Sequence, residues 1–315
     1  MIRRLLQAAF TLFGVMLLTF LLFNQIAGDI ASQYLGPKAT EQQKQAFREK
    51  HDLDMPKLYN DAPELAWWQR VTRTLFVRHL VDSVTFRSES FVSGDTLLEI
   101  IAKKARYSLA ITVPALALGF ISAMIVSCLV AYYRGTWIDN AGVFLSVLGM
   151  CIPVLAYMII GQYVVFAVAP GWAYGLMNRE NIYVPVIIAT IAGLGGAVRF
   201  YRTVILNEIN QDYVRTARAK GVPLPTVLFR HVLKNCMLPI LTNLVLSIPF
   251  LILGSLLLER FFGVPGLGEL MVSSISQRDV PIINGLTFLT ALIYTLGLLL
   301  TDVLYAVFDP RIRLQ

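Results

Sequence analysis

The chain has 315 residues, 56% of them hydrophobic and only 15% charged, with a formal charge of +7. A soluble domain carries about 25% charged residues, so this composition excludes an ordinary soluble globular protein and points to a bilayer as solvent. Many of the basic residues flank apolar runs, which removes most of the nucleic-acid reading that a positive charge invites.

In chain order, Met1-Ile2-Arg3-Arg4 leads into an apolar run at residues 5–26. That run is longer than the h-region of a secretory signal and lacks an A-x-A cleavage site, so it reads as a retained signal-anchor helix. A polar stretch follows, with a helix-like run at 40–50. Trp67 and Trp68, with Phe76, Phe86 and Phe91, are expected to pack against the outer membrane interface as an aromatic belt. Residues 96–106 read as an amphipathic lead-in to the next span.

Five further apolar runs lie at 109–133, 141–169, 184–205, 237–258 and 282–307. Each is long enough for roughly 30 Å of hydrocarbon, which takes about 20 residues of helix. Six spans are therefore expected. Pro114, Pro153, Pro185 and Pro249 lie in or at the ends of these runs. Membrane helices tolerate such prolines where neighbours satisfy the freed carbonyls, and the kinks suit either a moving bundle or plain packing.

Lys and Arg counts in the short loops set orientation. With the N-terminus in the cytoplasm, the inner segments hold Arg3, Arg4, Arg134, Arg202, Arg215, Arg218, Lys220, Arg230, Lys234, Arg311 and Arg313. The short outer loops hold only Arg179, Arg260 and Arg278. The long segment at 27–108 exceeds the length over which the rule counts and lies outside. Both termini are then cytoplasmic.

Several chemistries find no support. There is no G-x-x-x-x-G-K-[ST] loop for nucleotide, no H-E-x-x-H and no G-x-S-x-G. His51, His79 and His231 are far apart in sequence and suggest no metal site. Cys128, Cys151 and Cys236 form no C-x-x-C pair and read as small buried hydrophobes. No histidine falls in a span, which disfavours an intramembrane enzyme. Arg199, Arg202 and Asp302 can all reach the inner interface, so a self-sufficient channel or ion-coupled carrier is also disfavoured.

The most informative stretch is the basic loop at 207–239. Good helix formers fill 207–220 until Gly221, with Pro223 and Pro225 beyond it. Ile209, Tyr213 and Ala217 repeat at four-residue spacing, a narrow face able to enter a groove, while Arg215, Arg218 and Lys220 lie off it. A second short helix is expected at 226–236.

The run D-Y-V-R-T-A-R-A-K-G from Asp212, followed by R-H-V-L-K-N-C-M-L-P from Arg230, resembles the "EAA" loop of ABC-importer permeases. The form is similar to the B-type subunit of the oligopeptide/dipeptide/nickel group. Arg215 stands at the family's glutamate, Thr216 and Ala217 at its alanines, and Gly221 at its glycine. Other similar motifs are E-R-F-F-G-V-P-G-L-G from Glu259, R-D-V-P-I-I-N-G from Arg278, D-P-R-I-R from Asp309 and H-D-L-D-M-P from His51. The outer segment departs from the family's brief G-D-x-G-x-S element, with a longer stretch from Leu80.

The resemblance implies an all-α polytopic membrane protein with the type I ABC-importer transmembrane fold. Its parts are an N-terminal helix at 1–27, an extracytoplasmic segment at 28–95 and a transmembrane domain at 96–315. It implies a permease subunit for peptides or peptide-like solutes, with nickel or another small solute as the alternative. The chain itself binds no cofactor; ATP and Mg belong to two partner ATPase subunits. A homologous C-type permease completes the pore, and an extracytoplasmic binding protein delivers the solute. Asp212, Tyr213, Arg215, Thr216, Ala217, Arg218 and Gly221 are the expected ATPase-coupling residues, with Thr216 and Ala217 either facing an ATPase groove or packing on the bundle. Glu259, Pro265, Gly266, Gly268, Arg278 and Asp279 are the expected outer loop or gate.

Overall fold

The computed structural model describes residues 2–26, 28–62, 66–169, 182–248 and 256–308. Its regular secondary structure among these residues is helical, joined by turns and loops, apart from one isolated bridge between Glu89 and Thr96. The loop bearing Arg179, the mid-span Pro249 and the D-P-R-I-R motif lie outside them.

Helix α1 (Ile2–Leu21) continues as a π-helical turn, Leu22–Ile26. Then come α2 (Ile30–Leu35), α3 (Glu41–Lys50), α4 (Trp67–Thr72) and α5 (Leu75–Thr85). The start of α3 follows from its first residues: Thr40 caps the backbone N–H of Gln43 while the Gln43 side chain returns to Thr40 N, a capping box. Helix α6 (Leu97–Tyr132) absorbs the amphipathic lead-in and runs on through Pro114.

The run expected as one span at 141–169 is two helices, α7 (Trp137–Cys151) and α8 (Val154–Val168), bent by 99°. Pro153 forces the break. It pushes Ile152 out of the helical region to φ −81, ψ 121, and itself caps α8. Cys151 at this corner is exposed, not buried as expected.

Helix α9 (Tyr183–Ile209) accepts Pro185 in its first turn, where no N–H is needed. The helix expected over 207–221 divides: Asn207 to Ile209 complete α9, and Gln211, extended at ψ 152, starts α10 (Asp212–Ala219). The second expected short helix is part of a longer helical run. A turn at Leu224–Thr226 and a π-helical stretch at Val227–Val232 lead into α11 (Leu233–Leu246), which contains Pro239. Helices α12 (Leu256–Phe262), α13 (Leu267–Gln277) and α14 (Val280–Phe308) complete the chain.

Among the described residues, α1 with its π turn, α6, α9 and α14 are long and apolar enough to cross a membrane, and the α7–α8 pair makes a fifth if it is one span. The expected span at 237–258 is represented by α11 and α12, with 249–255 outside the described residues.

Two compact units emerge, one from residues 1–105 with 269–296, the other from 106–268 with 297–315. In the first, the Phe76 ring packs edge-on to Phe20 at 5.1 Å and Phe13 at 6.1 Å. Phe86 lies 5.8 Å from Phe288, and Phe91 packs among Tyr34, Phe47 and His51. These three phenylalanines, expected at the membrane interface, are therefore internal contacts. Arg48 Nη2 pairs with Asp29 at 2.8 Å, tying α3 to the cap of α2 and holding the Asp29 carboxyl well below the usual range.

The second unit has two apolar clusters. One gathers Tyr201 and Ile205 of α9 with Val214 of α10 and Val227, Leu228 and Cys236 beyond it. The other gathers Ile111, Met158, Ile188, Leu258 and Phe262. Helices α7 and α9 approach closely because Gly195 is glycine: an added Cβ would meet the Ser146 carbonyl oxygen at 2.6 Å.

Candidate functional site

Helix α10 is seated by burial and displayed by charge. Val214 is 1% exposed, and Tyr213 and Ala217 pack against the same cluster. The stripe Ile209, Tyr213 and Ala217, expected to enter a partner's groove, thus packs on the chain's own bundle. Four-residue spacing makes an apolar face, and Ile205, Val227 and Leu228 of the same chain are there to cover it. The opposite face is exposed and carries Asp212, Arg215, Thr216 and Arg218. Arg215 Nη1 lies 3.6 Å from Asp212 Oδ1, a solvent-exposed pair that adds little stability.

Two devices fix the ends of α10. The Tyr213 hydroxyl donates to Glu208 Oε2 at 2.8 Å, latching the helix to the last turn of α9. Burial pushes this phenol up to about 12, and the Glu208 carboxylate adds to the shift. At the other end Gly221 takes φ +80, its N–H bonds to Arg218 O at 2.9 Å, and Val222 N bonds to Ala217 O at 3.2 Å. This left-handed turn is the stop that the glycine was expected to provide.

The residues expected at an outer loop separate into two clusters. Glu259, 0% exposed, accepts the N–H of Gly268 through Oε2 at 2.8 Å, and Ser108 Oγ accepts that of Leu267 at 2.8 Å. Together they satisfy the first amides of α13, which its own carbonyls cannot reach. Gly266 must be glycine here, since an added Cβ would fall on Glu259 Oε2 and Ser108 Oγ. Pro265 precedes it in the same turn.

The second cluster belongs to the other unit. Asp279, 2% exposed, accepts from Ser90 Oγ at 2.5 Å and from Phe91 N at 3.1 Å. Arg278, left-handed at φ +58, donates to Gln33 O at 2.5 Å. Both residues clamp the segment before α6 onto the start of α14.

A cleft of about 530 Å³ opens in the second unit between α6, α9 and α11. Thr112, Thr190, Tyr201, Asn243 and Ser247 are its polar lining residues, and among the described residues no acidic or basic side chain lines it. Gly119, Gly193 and Gly196 border it, and a Cβ added at any of them would meet open space. Nearby in the chain, Arg202 donates from Nε at 2.9 Å and Nη2 at 2.6 Å to Asp139 Oδ1, while Asp139 Oδ2 accepts from Gly135 N at 3.0 Å.

Sequence reasoning missed Asp139, Ser90, Ser108 and Glu208, whose partners lie far along the chain or across a helix break. It also separated His51 and His79, which line one polar cavity of about 330 Å³ in the first unit. A faint signal existed for Asp139, a carboxylate within three residues of a helix start.

A family model described as "Binding-protein-dependent transport system inner membrane component" matches residues 115–314. The chain is 31% identical to the oligopeptide transport system permease protein AppB of Bacillus subtilis (strain 168), over 99% of this chain and 98% of that protein. It is 32% identical to the glutathione transport system permease protein GsiC of Escherichia coli (strain K12), again over 99% and 98%. The likeness to GsiC of Salmonella typhimurium is the same, 32% over 99% and 98%.

Proposed function

The chain belongs to the family of binding-protein-dependent transport system inner membrane components, and from that premise we propose that it is the B-type permease subunit of an ATP-driven importer of peptides or peptide-like solutes. The substrate class comes from relatives named for oligopeptide and glutathione transport. An uncharged cleft with hydroxyl and amide groups suits a solute rich in amides, which needs hydrogen bonds more than a fixed countercharge. In this reading the cleft is the chain's wall of the translocation path, and a homologous C-type permease supplies the facing wall.

The carrying observation is helix α10: an apolar face seated on the bundle, a phenol latch to α9, and a charged face left open. Two ATPase subunits holding ATP and Mg dock on that charged face. An extracytoplasmic binding protein delivers the solute at the other side, with six spans and both termini in the cytoplasm. The chain contributes no nucleotide site or cofactor of its own.

The test is reconstitution with the partner subunits in lipid, reading ATP hydrolysis and uptake of a labelled peptide together. Charge reversal at Arg215 and Arg218 is expected to abolish stimulated hydrolysis and uptake while the chain still inserts. Unchanged uptake in that double variant would sink the coupling assignment.

A further inference from the structure

Helix α5 lies in the segment expected to be extracytoplasmic, yet its surroundings are those of a span. Its Phe76 ring packs between Phe13 and Phe20 of α1, and His79 Nε2 sits 3.2 Å from the Met16 carbonyl oxygen. Met16 lies about 15 Å along the helix from Ile26, near half of a roughly 30 Å hydrocarbon core. The stretch Arg3–Ile26 has the length and apolarity of a membrane span. On its outer half Leu18, Leu21, Leu22 and Ile26 all remain exposed. Water would be a poor neighbour for such a row; acyl chains would not.

The three faces of α5 carry different chemistry. Phe76, His79 and Ser83 turn toward the packed side. Arg78 and Asp82 border the 330 Å³ polar cavity, with Arg78 Nη1 paired to Asp52 at 3.1 Å and its Nε 3.5 Å from Asp82. Val81 and Val84, 52% and 57% exposed, form the third face, and α4 adds exposed Trp68 and Val71.

We propose that α5 is embedded in the outer leaflet beside α1, with Val81 and Val84 against acyl chains and its charged face against the polar cavity. An amphipathic helix with its backbone bonds closed is the form in which chain can enter lipid without spanning it. Arg78 then has both its carboxylate partners, Asp52 and Asp82, on the cavity side and away from the acyl chains. Only the identity of the leaflet rests on the orientation proposed above; contact with lipid does not.

The test uses the complete transporter in lipid nanodiscs, with nitroxide labels at Val81→Cys, Val84→Cys and, on α4, Val71→Cys. In this chain Cys128 and Cys236 are buried and Cys151 is exposed, so labelling starts from Cys151→Ser here and from partner subunits cleared of reactive cysteines. Relaxation by oxygen is compared with relaxation by a water-soluble nickel chelate. Positions 81 and 84 are expected to favour oxygen several-fold, matching a lipid-facing control at Leu18→Cys on α1 and opposite to a water-facing control at Gln42→Cys on α3. Chelate access at 81 and 84 would place α5 in water and overturn the proposal. Protection from both reagents would mean a protein partner covers the face, and would overturn it equally. Uptake by the same labelled transporter separates either failure from failure of the permease reading.

Discussion

Tyr213 and Asp279 each hold a short piece of chain in place, in regions built on opposite chemistry. Around Asp279 the anchor is polar: one buried carboxylate accepts from Ser90 and from the Phe91 amide. Around Tyr213 the anchor is mostly apolar, with Val214 fully buried and the phenol hydrogen-bonded to Glu208 and Asn235 at the edge. A polar anchor fixes direction and register, and it fails when one partner is removed, because the others stay buried and unsatisfied. An apolar seat tolerates small shifts, since burial depends on area more than on angle. The difference suits a fixed clamp at one site and a seat that admits small shifts at the other.

The contrast can be broken by substitution. Asp279→Ala is expected to cost about 3 kcal/mol, through two charge-assisted hydrogen bonds lost and two donors stranded. Thermal unfolding in detergent and protease sensitivity of 28–95 check it, and Asp279→Asn should recover part of the loss. Val214→Ala removes buried methyls and is expected to cost about 2 kcal/mol, with hydrogen exchange rising in α10 before the rest of the unit. Tyr213→Phe should cost about 1 kcal/mol in stability, yet it should lower peptide uptake more than ATP hydrolysis, because only the latch is cut. Gly221→Ala strains a left-handed turn with no steric clash and should cost about 1 kcal/mol.

The smallest effect concerns acid. Burial, then the neighbouring Lys50 charge, pushes the His51 imidazole down from its ordinary value, and its ring packs tilted against Phe47 and edge-on to Phe91. The folded chain therefore holds this histidine neutral where the unfolded chain binds a proton. Its contribution is complete above the unfolded value of 6.5 and declines as pH falls from there toward the lowered folded value. Hydrogen exchange around 47–53 should rise modestly between neutral and mildly acidic pH, and His51→Gln should flatten the response.

Local chemistry was legible in the sequence. Thr40 and Gln43 announce the start of α3, and Gly221 announces the end of α10. Long apolar runs gave α1, α6, α9 and α14 because a span needs length and little else. The corner at Pro153 was hidden: Pro114 and Pro239 sit inside helices, and hydropathy alone cannot tell a tolerated proline from one that turns the chain by 99°. The facing of Ala217 was hidden too, since spacing defines a stripe without naming what covers it. Ser90 and Asp279 pair across 189 residues, beyond any local pattern.

Gly195 is a point of close contact between two helices. It presses α9 onto α7 where a side chain would not fit, about 20 Å from Glu208 in one direction and about 18 Å from Tyr183 in the other. With α7 held still, α9 is a lever with a central fulcrum and nearly equal arms. A push delivered at the Tyr213 latch would swing the far end by a similar amount in the opposite sense, and Gly193 and Gly196, next to the fulcrum, would tilt with little travel.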